Sequence, residues 1–142
     1  MTAAQHEEAV CAFFDTCWNG RDYAAAEELY APTFTNPAAP GLSGGAAKAH
    51  LLRAYHEAFP DLTVRIEQLV VTDDDVAMRY VATGTHSGNF RGHPPTGRRM
   101  STWAVSFLHF AGDQVTSCEW VGADYLGLFE QLGVTASPWT PA

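Results

Sequence analysis

The chain is 142 residues long, 46% hydrophobic and 17% charged, which fits one globular domain and leaves no room for a second core. Sixteen acidic against eight basic residues give a formal net charge of −8, which opposes binding to nucleic acid or to an anionic membrane surface. Cys11, Cys17 and Cys118 form no CxxC pair and read as free thiols in a reducing compartment; Met1 to Glu8 lack a signal-peptide pattern and no apolar run reaches the ~18 residues of a membrane span, so the chain reads as soluble and cytoplasmic.

Val10, Phe13, Phe14, Cys17 and Trp18 recur at the spacing of one helical face, and Gly20 supplies a stop signal. Asp22 opens a short second helix through Tyr23, Ala26, Leu29 and Tyr30 that ends before Pro32. A brief extended piece is expected around Phe34, then a loop through Pro37, Pro40 and Gly41. A third helix runs from about Gly45, with Leu51, Leu52, Tyr55, Ala58 and Phe59 on one face, and stops at Pro60.

After Leu62 the period changes from helical to alternating. Thr63 to Thr72 and Val76 to His86 read as strands joined by the acidic turn at Asp73, Asp74 and Asp75. Thr102 to Phe110 and Gln114 to Val121 form a second pair, turned at Ala111, Gly112 and Asp113, and the Gly- and Pro-rich stretch Gly88 to Gly97 connects the two pairs. An apolar helix follows from Tyr125 to Gly133, and Ala136 to Ala142 read as a loose tail. Helices followed by a meander of strands predict an α+β domain over residues 1–142, with a curved antiparallel sheet and helices packed on one face.

Gly41-Leu42-Ser43-Gly44-Gly45 satisfies the G-x-S-x-G pattern that presents a nucleophilic serine on a strand-to-helix turn. Pro37 to Pro40 stand where the strand should be, so Ser43 reads better as the cap of the third helix. The six histidines contain no pair at metal-ligand spacing, and neither a GxGxxG nor a phosphate-loop pattern occurs, so no metal and no nucleotide cofactor is expected.

Strand alternation places Met78, Tyr80, Ala82, Gly84 and His86 on one face, opposite Arg79, and that face is read as inward. His86 is then either a satisfied core residue or a hydrogen-bond donor to a ligand. The same count on the last strand groups Cys118, Trp120, Gly122 and Asp124. Asp124, just before a helix, is either an N-cap, whose bonds would lower its pKa, or a desolvated pocket carboxylate poised for proton transfer. Trp18, His56, Phe59 and Trp103 are most simply core, and Trp103 shares a face with His109 that is either exterior or an interface.

Three blocks together carry a family resemblance: Ala58-Phe59-Pro60-Asp61-Leu62; Gly84 to Phe90 running into Gly92-His93-Pro94-Pro95-Thr96-Gly97; and Asp124 with Gln131-Leu132-Gly133. With Trp18-Asn19-Gly20 they make the chain resemble the SnoaL-like polyketide cyclases. The resemblance implies a cone-shaped nuclear transport factor 2-like fold, with helices and a curved sheet enclosing one deep pocket. It implies a cofactor-free intramolecular aldol ring closure of a polyketide intermediate, with Asp124 as acid/base and His86 and Asn36 as donors to the developing oxyanion. Substrate contacts are expected from Phe14, Trp18, Asn36, His56, Phe59, Tyr80 and Trp120. Lys48, at the start of the third helix, matches no part of the family's site, and Phe13 and Phe14 stand where some such cyclases carry a tyrosine. The resemblance also leaves open an isomerase or hydroxylase-like reaction, or a non-catalytic binding or dimerisation module. Homodimerisation through the exposed face of the sheet is expected.

Overall fold

The computed structural model describes residues 1–134, and of residues 119–121 only the backbone. Helix α1, Ala3–Phe13, begins with a reciprocal cap in which Gln5 N donates to the Thr2 hydroxyl and Thr2 N donates to the Gln5 side chain. It then widens into a π-helical turn, Phe14–Asn19, ending at Gly20. The predicted first helix is thus one continuous path with a change of pitch that buries Phe14, Cys17 and Trp18 together. Asn19 leaves this turn and clamps the sheet, its amide nitrogen donating to Val64 O at 2.9 Å and its oxygen accepting from Val64 N at 2.8 Å.

Helix α2, Ala24–Leu29, starts where the Asp22 carboxylate accepts from Ala24 N at 3.1 Å. No strand forms around Phe34; only Tyr30 bridges Val115. Helix α3, Gly44–Ala58, follows Ser43, which has extended backbone but makes no capping bond with its side chain, so the cap expected of Ser43 is absent. Gly44 instead donates its amide to Phe34 O at 2.7 Å.

The strands are β1 (Thr63–Val71), β2 (Asp75–Thr85), β3 (Arg99–Ala111) and β4 (Gln114–Ala123), in one antiparallel sheet of order β1-β2-β3-β4. Helix α4, Tyr125–Leu132, returns across β3. The alternation expected of β2 is observed: Val76, Met78 and Gly84 are buried and Arg79 is exposed. On β4 the alternation breaks, because Val105 pairs with Gly122 while Ser106 pairs with Trp120, leaving one extra residue between. A bulge of this kind bends the strand and reverses inward and outward beyond it.

The core lies between the helices and the inner face of the sheet, where Val10, Cys17, Leu52, Phe59, Phe110 and Leu132 are 0–1% exposed. The outer face carries Val70, Trp103 and Phe107 in the open, at 57%, 46% and 45% exposure, so Trp103 is exterior. The connection after β2 packs its Gly88 against the end of α3, where an added Cβ would lie 2.0 Å from Glu57 O. The expected loose tail from Ala136 lies outside the described residues.

Candidate functional site

Helices and sheet diverge enough to leave a cavity of about 150 Å³. The sheet supplies its floor through Tyr80, Ala82, Ala104, Ser106, Cys118 and Ala123, and α3 faces them with Lys48, Leu51 and Tyr55. Lining residues that are exposed, Thr35, Pro37, Ala38 and Arg91, mark the mouth. At the inner end, Trp18, Lys48, Tyr80, Ser106 and Cys118 also border a void of about 10 Å³ that reaches Phe13 and Phe14. Mostly apolar walls with a few directed polar groups are the usual composition of a small-molecule site.

Those polar groups form two sets. Inside, the Tyr80 hydroxyl and Ser106 Oγ are 3.2 Å apart. Burial pushes the Tyr80 phenol up to about 12, against the Ser106 bond that lowers it. Nearer the mouth, the Tyr55 and Tyr125 hydroxyls are 3.2 Å apart, and Arg91 donates to the Tyr125 oxygen at 2.9 Å with its guanidinium 4.6 Å from the Tyr125 ring centroid. Burial, reinforced by the Tyr55 bond, raises the Tyr125 phenol well above its ordinary value. Both Tyr80 and Tyr125 therefore stay protonated near neutral pH. Arg91 holds a left-handed backbone, φ 49°, which a non-glycine residue adopts at some cost.

Of the predicted contacts, Trp18, Asn36 and Tyr80 line the cavity, and Phe14 lines the inner void. His56 and Phe59 belong to the packing behind the wall. His56 Nε2 donates to Trp18 O at 2.7 Å and its Nδ1 accepts from the Tyr23 hydroxyl at 2.6 Å, while burial lowers its pKa. Phe59 packs on Phe90 and His86. The side chain of Trp120 lies outside the described residues.

His86 is fully buried and is not among the lining residues. Thr96 N donates to its Nδ1 at 3.2 Å, which puts the ring proton on Nε2, and there it meets no partner among the described residues. Its backbone pairs with Arg98 O and Gly97 N, so the residue pins both ends of the loop after β2. Asp124 caps α4, its Oδ1 accepting from Gly127 N at 2.8 Å. Its neighbours Ala123 and Tyr125 line the cavity, whereas Asp124 itself does not. The β4 bulge is why: Ala123, not Asp124, continues the inward face of Cys118.

Sequence reasoning missed Lys48, Tyr55, Arg91 and Tyr125. Lys48 sits one helical turn before Leu51 and Leu52 and two before Tyr55, so the spacing that placed those residues inside also places Lys48 there. Among the described residues no His, Cys, Asp or Glu cluster suited to a metal is present.

Helices laid over a curved antiparallel sheet around one cavity define a nuclear transport factor 2-like domain with a small-molecule pocket. The chain belongs to the SnoaL-like polyketide cyclase family, which it matches over residues 8–132. TsrD from Streptomyces laurentii superposes with a TM-score of 0.86 at 23% identity, covering 95% of this chain and 99% of that one, and supports the fold. IdmH from Streptomyces antibioticus, a candidate polyketide cyclase, gives 0.75 at 27% identity over 92% and 99% of the two chains. AclR from Streptomyces galilaeus, a candidate hydroxylase, gives 0.79 at 26% identity over 96% and 89%. Among curated protein sequences none matches. No helix of the described residues is long and apolar enough to cross a membrane.

Proposed function

We propose that this protein closes a ring in a polyketide-like intermediate by a cofactor-free intramolecular aldol reaction, with Asp124 as acid/base. The reading is supported by membership of the family and by the place of Asp124 between two cavity-lining residues. Its own side chain stands outside the lining, with one oxygen bound to Gly127 N and Oδ2 accepting no hydrogen bond among the described residues, so the reading requires Oδ2 to reach the substrate between Ala123 and Tyr125. Capping fixes the carboxylate's orientation through Oδ1 and leaves Oδ2 to take a proton.

In the reaction, Oδ2 removes a proton from a carbon flanked by carbonyl groups. The enolate carbon attacks a second carbonyl of the same chain, one C–C bond forms, and the proton returns to the new alkoxide. Tyr80 and the Tyr55–Tyr125 pair are donors for the charged oxygens, and the apolar walls hold the chain so that the two carbons meet. Expulsion of one water from the aldol product gives the aromatic ring where the substrate permits it.

The capping bond of Asp124 itself favours a second reading, a binding module without chemistry, and the resemblance to AclR points to an oxygen-inserting relative. One experiment separates the three. Linear poly-ketone intermediates are incubated with the protein under ¹⁸O₂ and followed by mass spectrometry. A product of unchanged mass, or lighter by one water and free of ¹⁸O, supports ring closure. Incorporated ¹⁸O sinks it in favour of hydroxylation, and binding without conversion sinks it in favour of the module.

A further inference from the structure

A buried cation faces a cavity that has no carboxylate among its described lining residues. Lys48, the sole lysine of the sequence, is 8% exposed. Its Nζ lies 5.8 Å from the Trp18 ring centroid and 5.3 Å from that of Tyr30, and no ion pair among the described residues includes it. The second cation of the wall, Arg91, stands at the mouth. No aspartate, glutamate or histidine is among the described lining residues, although the chain carries twice as many acids as bases, sixteen against eight.

Aromatic faces recover only ~0.5–2 kcal/mol for a cation placed over them, whereas taking an ammonium out of water costs several kcal/mol when no counter-ion meets it. Leucine or methionine would fill the same helical position at no such cost. A lysine kept there is accounted for by an anion that arrives from outside. Tyr80 and Ser106, whose hydroxyl oxygens are 3.2 Å apart, border the same inner end as Lys48.

We propose that the inner end of the cavity is an oxyanion site, in which Lys48, with Tyr80 and Ser106, receives the carboxylate or enolate oxygen of a planar ligand. The proposal rests on the cavity being the substrate site and refines the substrate to a class: a polyketide-like acid or a stabilised enolate, bound with its anion inward. Arg91 at the mouth draws the anion in from solvent, against the negative charge of the rest of the chain.

The test uses 2-naphthoate and its uncharged analogue 2-naphthamide as probes, and reads binding alone, so a failure of the ring-closure chemistry leaves it untouched. Isothermal titration of the intact protein is expected to give at least tenfold tighter binding of the naphthoate. Lys48→Met is expected to abolish that preference and Lys48→Arg to retain most of it. As a readout that needs no variant, protein labelled with ¹³C at lysine Cε gives one signal, from Lys48. The naphthoate is expected to shift it and the naphthamide to leave it in place. Equal affinity for the two probes, no binding of the naphthoate at millimolar concentration, or naphthoate binding with the lysine signal unmoved would each overturn the proposal.

Discussion

The Asp124 carboxylate folds back over Gly127, accepting its amide hydrogen at 2.8 Å, and it can lie there only because residue 127 has no side chain: an added Cβ would stand 2.2 Å from Oδ2. Gly127→Ala is therefore expected to displace the carboxylate from both its cap and its orientation. The loss of a helix cap costs about 1 kcal/mol. Thermal unfolding should fall by a few degrees, and turnover should fall much further than stability does. Unchanged activity in a folded Gly127→Ala protein would remove the orienting role.

Ser43 stands at the N-cap position of α3 without a capping bond. Ser43→Ala is expected to change stability by less than about 0.5 kcal/mol, where a true cap would cost ~1 kcal/mol. The same variant should keep full activity, since Ser43 is exposed and lines no cavity. Chemical denaturation of the two proteins side by side checks the first point, and their turnover of the same compound checks the second.

Burial holds the His56 pKa below its ordinary value of 6.5. Between pH 6.5 and the folded pKa the unfolded chain therefore binds a proton that the native protein does not, and stability falls as pH drops through that window, then levels off. His56→Gln should flatten this part of the stability curve relative to the wild type. A curve of unchanged slope would mean that another group governs it.

The outer sheet face aligns Val70, Ala77 and Phe107 in one cross-strand row, with Trp103 further along β3. We propose that this face pairs two copies of the chain. Trp103→Glu combined with Phe107→Glu should convert a dimer to a monomer in sedimentation velocity while leaving the circular dichroism spectrum in place. A wild type that sediments as a monomer at micromolar concentration would refute the pairing.

Periodicity in the sequence carries most of this fold. The helical stripe from Val10 to Trp18 and the alternation around Arg79 both reappear as buried and exposed faces, because each follows from the geometry of a single element. The blocks behind the family resemblance turn out to hold the frame. Asp61 accepts from the Thr85 amide and hydroxyl at 2.6 and 2.7 Å, Phe59 is fully buried, and Gly88 lets the loop touch α3. What alternation does not show is the bulge before Asp124, which takes it off the face of Cys118, since a bulge depends on pairing with β3 and leaves no local mark in β4. Lys48 was legible by its spacing and obscured by its charge, because a lysine on an apolar stripe is ordinarily taken for a surface residue.

The catalytic role of Asp124 is tested most directly by Asp124→Asn, which keeps an oxygen to cap α4 and removes only the capacity to take a proton. Turnover of a linear poly-ketone intermediate by wild type and variant is the measurement, with binding of the same compound as control. The account predicts a fall in turnover of about 10²–10⁴-fold with affinity and melting temperature nearly unchanged. A variant that turns over within a few-fold of the wild type would contradict it.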